Sequence, residues 1–190
     1  MKTWPPFYKI FHYFLVYGLI QASATFGEAK SNNSIESRLN SIFSQKSKSI
    51  DLTETLLLIS KDWDSSLKEL PLRNEIDQIV IDIKNQLRPG ITARETVDIL
   101  RKVIHQERKY RYTDQVDNQG IPINPDEIFL HGMLKSKNGY CMNLSLLYLI
   151  VGNELNLPLQ GVALPNHFFI RYGSGKDQIN IETTESGANY

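Results

Sequence analysis

The run CMNLSLLYLIVGNEL, residues 141–155, constrains the fold more than any other part of the chain. Drawn as a helix, it carries Leu144, Leu147, Tyr148, Ile150, Val151 and Leu155 almost all the way round. A helix apolar on one stripe can rest on a surface, but one apolar on every side has to be enclosed. The rest of the chain must therefore wrap it. Three short β-type runs follow it: Leu159–Leu164, Phe168–Tyr172 and Gln178–Thr183. GSGK, residues 173–176, has the small, flexible composition of a hairpin turn between the last two. Helices first, then a buried helix, then antiparallel strands is an α+β order.

The helices that do the wrapping are marked by caps and spacing. Asn33 with Glu36 forms a possible capping box ahead of Ile35, Leu39, Ile42 and Phe43. Asp51 with Glu54 opens a helix bearing Leu52, Leu56, Ile59 and Trp63. Pro71 suits a first helical position, with Leu72, Ile76, Ile79, Val80, Ile83 and Leu87 following at helical spacing. Pro89-Gly90 ends that helix, and Thr92 with Glu95 makes a third box before Val97, Leu100, Val103 and Ile104. Residues 109–124 read as a loop. Asn124, Pro125 and Glu127 then start a short helix that Asn138-Gly139 closes.

The N-terminus has a different character. Lys2 and Lys9 precede an apolar run, residues 10–20, and Ala22 and Ala24 follow in a small-x-small pattern. That is the layout of a secretory signal peptide over residues 1–24, with 25–33 as a polar linker and 34–190 as the domain. The other reading of the run is an uncleaved anchor, and only then would a membrane be a partner. Cleavage removes two basic residues and no acid, leaving 19 of the 21 basic side chains against 21 acidic ones. The expected place of work is secreted or periplasmic.

Composition excludes several classes. With 41% apolar and 22% charged residues, wholesale disorder is excluded, and 190 residues suffice for one core. No basic excess marks a nucleic-acid binder, and none is expected as a partner. QERKYRY, residues 106–112, interleaves basic and aromatic residues, but it is short and reads as a solvated face. One cysteine excludes a disulfide framework and a multi-cysteine zinc site, so no metal or cofactor is expected. His105 and His131 lack a ligand cluster and read as structural.

Three residues stand where chemistry is feasible. Cys141 falls where a loop meets the start of the buried helix, a place that stabilises a thiolate. His167 begins a strand, and Glu182 lies on the next strand across the turn. A carboxylate there can orient the imidazole, and the imidazole can take the thiol proton. Each also has a plain alternative: a packed cysteine, a structural histidine, a solvated acid. From the residues alone the two readings stand side by side.

The stretch from Phe129 to Tyr172, with INIETTESG after it, resembles the transglutaminase-like superfamily, and more narrowly its bacterial SirB-type branch. Gly139, Leu144, Ser145, Leu147 and Tyr148 match the helix motif. Leu155, Leu157 and Pro158 match the turn, and Val162, Leu164, Pro165, His167 and Phe168 match the strand. The motif-bearing part is residues 129–190. The resemblance implies a papain-like core in which a thiol helix packs on a small antiparallel sheet. It implies thiol acyl transfer or hydrolysis at an amide of a protein or peptide, with Cys141 as nucleophile, His167 as base and Glu182 as acid. The family's usual acid is aspartate, and many SirB-type members lack the cysteine. The second reading is therefore a non-catalytic peptide- or protein-binding module on the same fold. The family's domains often continue further than Tyr190, so the sequence is compatible with truncation.

Overall fold

The structure, a computed structural model, describes residues 35–43, 51–165 and 167–189. The expected signal peptide, the linker and the capping box at Asn33 lie outside the described residues. The chain divides into two compact units, Met1–Asp51 and Leu52–Tyr190. In the first, helix α1 (Ile35–Phe43) keeps Ile35, Leu39 and Ile42 half-buried while Ser37, Arg38, Asn40 and Ser41 are exposed.

The second unit is α+β. Its helices are α2 (Leu52–Trp63), α3 (Glu69–Lys84), α4 (Ala93–Arg101), α5 (Leu130–Ser136) and α6 (Cys141–Glu154). A wider-wound turn, Lys102–Glu107, prolongs α4. Helix α6 is the expected central element. Leu144, Leu147, Tyr148, Ile150 and Val151 are all buried, packed among Ile76, Ile79 and Ile83 of α3, Val97 and Leu100 of α4, and Met133 of α5. On its remaining side lies a four-stranded antiparallel sheet in the order β3 (Leu159–Leu164), β4 (His167–Tyr172), β5 (Ile179–Glu182), β6 (Ala188–Asn189). Ile170 and Ile181, cross-strand partners in the ladder, turn to the core and are fully buried.

Local signals explain most boundaries. The capping box at Thr92 is made: its hydroxyl accepts from the Glu95 amide, and the Glu95 carboxylate accepts from the Thr92 amide. The hairpin between β4 and β5 turns through GSGK, with Gly173 and Gly175 at positive φ. Pro71 is a correction. The helix starts two residues earlier, at Glu69, and Pro71 takes its third position. Its missing N–H still falls among the four that have no intrahelical partner, so it costs nothing there.

Residues 109–124 are a second correction, since they are not wholly loop. Arg111–Tyr112 forms β1, paired in parallel with β2 (Asn138–Gly139). Nor is QERKYRY a uniformly solvated face. Tyr110 is fully buried, its hydroxyl donating to Glu75, and Arg108 pairs with Asp82 and Glu75. No helix among the described residues is long and apolar enough to cross a membrane.

Candidate active site

The site starts with the way α6 begins. Tyr140 is extended and caps the helix, which puts Cys141 at its first position. Asn143 holds this start in place. Its Oδ1 accepts from the Tyr140 amide at 2.6 Å, and its Nδ2 donates to the Glu127 carbonyl at 2.6 Å. The β1–β2 pair secures the approach, with the Thr113 amide donating to the Gly139 carbonyl at 2.9 Å. Cys141 is thus presented on a braced helix N-terminus, where backbone amides favour negative charge.

Burial is the largest influence on the thiol and pushes its pKa up. Amides of Met142 and Phe168 reach the sulfur and work the other way, and the nearby Glu182 carboxylate adds to the rise. The net direction is upward, so Cys141 rests as a thiol. Tyr112 and Tyr140 stand beside it, with ring centroids 5.6 Å apart and their hydroxyls in contact. Tyr140 donates onward to the Gly120 carbonyl at 3.1 Å.

His167 opens β4 opposite Leu164, and its ring lies 6.0 Å from that of Phe169. Its Nε2 is 2.5 Å from Oε2 of Glu182, the last residue of β5. The other oxygen of Glu182 accepts from the Thr184 amide at 3.0 Å and hydroxyl at 2.6 Å. Burial alone would raise the Glu182 pKa, but the bonds from Thr184 and His167 outweigh it and hold the carboxyl below its ordinary range. Glu182 is therefore a carboxylate at neutral pH, with both oxygens engaged.

The structure brings His167 and Glu182 into direct contact. It places Cys141 against the amide of Phe168, the residue after His167. Among the described residues, no hydrogen bond joins the Cys141 sulfur to the imidazole. With Nε2 taken by Glu182, Nδ1 is the ring nitrogen left to face a thiol. His105 and His131 belong elsewhere. His105 donates through Nδ1 to the Tyr110 carbonyl, 2.7 Å away, and burial pushes its pKa down to about 4. His131 is fully buried, and burial lowers it too. Among the described residues no group of three or more His, Cys, Asp or Glu could hold a metal ion.

The model of the transglutaminase-like superfamily matches residues 71–189. This chain belongs to the transglutaminase-like superfamily. The match runs from within α3 to β6 and includes Cys141, His167 and Glu182. At the level of single relatives, the transglutaminase-like chain is similar to the mammalian protein "F-box only protein 21". Identity is 29% over 135 residues with the Pongo abelii protein and 25% over 140 residues with that of Homo sapiens. Each alignment takes in 63% of this chain and 21% of the relative. With the Mus musculus protein, identity is 26% over 88 residues, 46% of this chain and 13% of the relative. The chain thus spans about a fifth or less of the length of the curated relatives it matches. No solved structure matches it.

Sequence reasoning missed four side chains of the site: Asn143, Ser145, Thr183 and Thr184. Ser145 was visible as part of a family motif, without a role. Thr183 and Thr184 gave no signal, because their partners are set by how the strand after Glu182 turns.

Proposed function

We propose that the protein is a transglutaminase-like thiol enzyme acting on amide bonds of proteins or peptides through Cys141, His167 and Glu182. The observation that carries this reading is the 2.5 Å contact of His167 Nε2 with Glu182, beside a cysteine at a helix N-terminus. Cys141 gives its proton to Nδ1 of His167, and the sulfur attacks the amide carbonyl carbon. The imidazolium is stabilised by the Glu182 carboxylate across Nε2. Amides of the first turn of α6 receive the developing oxyanion. The C–N bond then breaks, the imidazolium hands its proton to the leaving amine, and an S-acyl bond remains. Water or a second amine, deprotonated by the same imidazole, attacks the acyl carbon and the C–S bond breaks, restoring the thiol. Which acceptor arrives decides between hydrolysis and acyl transfer.

Two finer parts of the reading rest on sequence motifs. The motif of residues 139–168 supports the SirB-type branch, and the layout of residues 1–24 supports export. The mass of the chain recovered outside the producing cell tests export: cleavage near Ala24 supports it, and a retained N-terminus opposes it.

A second reading has its own observation. The Cys141 thiol is held neutral by burial, and no hydrogen bond joins it to the imidazole among the described residues, which suits a packed thiol in a peptide-binding module. Alkylation of Cys141 by iodoacetamide, followed against pH, separates the two. The enzyme reading expects a limb of reactivity at pH below the thiol's own titration that is lost in His167→Ala. A single rise at high pH, unchanged in His167→Ala, would favour the binding module.

A further inference from the structure

We propose that Ser145 is a positioning residue that sets the distance between Cys141 and the His167–Glu182 pair, with Thr183 as its second anchor. The proposal rests on the reading of Cys141 and His167 as nucleophile and base. Ser145 follows Cys141 by four residues, one turn along α6, and is fully buried. Its hydroxyl donates to the Phe168 carbonyl at 3.3 Å. Having spent its proton there, it accepts from the Thr183 hydroxyl at 2.9 Å. Thr183 is also fully buried.

The neighbours of these partners give the contact its meaning. Phe168 follows His167, and Thr183 follows Glu182. The amide of Phe168 reaches the Cys141 sulfur, one turn before Ser145. The β4–β5 ladder ends at Ile170–Ile181, short of both His167 and Glu182. Beyond that point no ladder bond sets the spacing of the two strand ends. The His167–Glu182 contact joins the two ends to each other, and one hydroxyl on the thiol helix ties both of them to that helix. Proton transfer between sulfur and imidazole needs placement to a fraction of an ångström, and such placement has to come from surrounding contacts.

The test uses the full chain and iodoacetamide alkylation of Cys141 from about pH 5 to about 10, spanning the imidazole and thiol ranges. Urea midpoints are measured alongside. Ser145→Ala removes the link. Thr183→Val removes one anchor while keeping the shape, and Thr183→Ser restores the hydroxyl. Ser145→Ala and Thr183→Val are expected to lose the lower-pH limb by on the order of tenfold, and Thr183→Ser to keep it. A lower limb unchanged in both variants, whatever happens to their urea midpoints, overturns the proposal. If Ser145→Ala does not fold, the Thr183→Val and Thr183→Ser pair decides. His167→Ala separates this from failure of the underlying reading: a limb that survives in His167→Ala removes the triad, and the positioning role with it.

Discussion

Glu182 reaches His167 on a diagonal, not straight across the sheet. Continuing the ladder from Ile170–Ile181 would set Glu182 opposite Phe169, two residues from His167. Diagonal positions are about 7–8 Å apart, so a longer side chain is an advantage there. The second oxygen is held by Thr184, which fixes the direction of the arm. The extra methylene relative to the superfamily's usual aspartate thus matches the offset of the strands. Glu182→Asp should keep the charge yet reach only one of its two partners, lowering the His167-dependent alkylation of Cys141 at pH 7 about tenfold. Glu182→Gln keeps the length without the charge that stabilises an imidazolium, and should cost more, on the order of a hundredfold. An aspartate variant as reactive as the parent would refute the diagonal argument.

The resting thiol should titrate above its ordinary range. Burial opposes the thiolate more strongly than the Met142 and Phe168 amides favour it. The thiol is an acid whose folded pKa is raised, so the folded state favours its neutral form. That contribution to stability is complete below the unfolded pKa and is lost as pH rises through the folded value. Thiolate absorbance near 240 nm, taken against pH, is the check. The folded His167→Ala chain should titrate at higher pH than the same chain in urea. Coincident curves, or a lower folded value, would contradict the burial argument.

His105 should make the fold acid-sensitive. Burial pushes its pKa down to about 4, so the folded state holds it neutral. Its contribution is present above the unfolded value of about 6.5 and is lost as pH falls through about 4. The full difference is on the order of 3 kcal/mol. Urea unfolding at about pH 7, 5 and 4 should show stability falling across that window. His105→Asn should start less stable at pH 7, since it loses packing, yet fall by less between pH 7 and 4. Equal falls in the two chains would mean that carboxylates such as Glu182 and Asp82, not His105, carry the acid response.

What could be read from the sequence, and what could not, follows the range of the interactions. Helix α6 was legible because its apolar residues leave no side free for water, and the Thr92–Glu95 cap because both partners lie within one turn. The start of α3 was not, since Lys68 makes no side-chain cap and Pro71 is tolerated anywhere in the first turn. The parallel β1–β2 pair is two residues long and held by backbone bonds, so no side-chain pattern announces it. At the site, Cys141, His167 and Glu182 were legible from their residue types and their places on elements. The bonds from Ser145 to Thr183 and from Asn143 to Glu127 join positions 38 and 16 residues apart. Only the folded chain brings those groups together.

Gly187 and Tyr148 give the sharpest packing test. Gly187 has φ +73°, and a Cβ there would lie 2.7 Å from the Tyr148 hydroxyl and 3.1 Å from Arg101 Cγ and His105 Cδ2. Gly175 has a similar φ, +71°, but its Cβ would meet nothing within 4 Å. Gly175→Ala should therefore cost the conformational penalty alone, about 1 kcal/mol. Gly187→Ala adds overpacking against a fully buried ring in the middle of α6 and should cost about 3 kcal/mol. The Tyr148 hydroxyl has no hydrogen-bond partner among the described residues, so Tyr148→Phe alone should change stability little. It removes the atom nearest the new methyl, so the double variant should be at least about 1 kcal/mol more stable than the two single effects predict. Urea midpoints of the four chains measure this coupling. Strict additivity would place the Gly187→Ala cost in the backbone, and not in the contact between the turn after Glu182 and the helix that begins with Cys141.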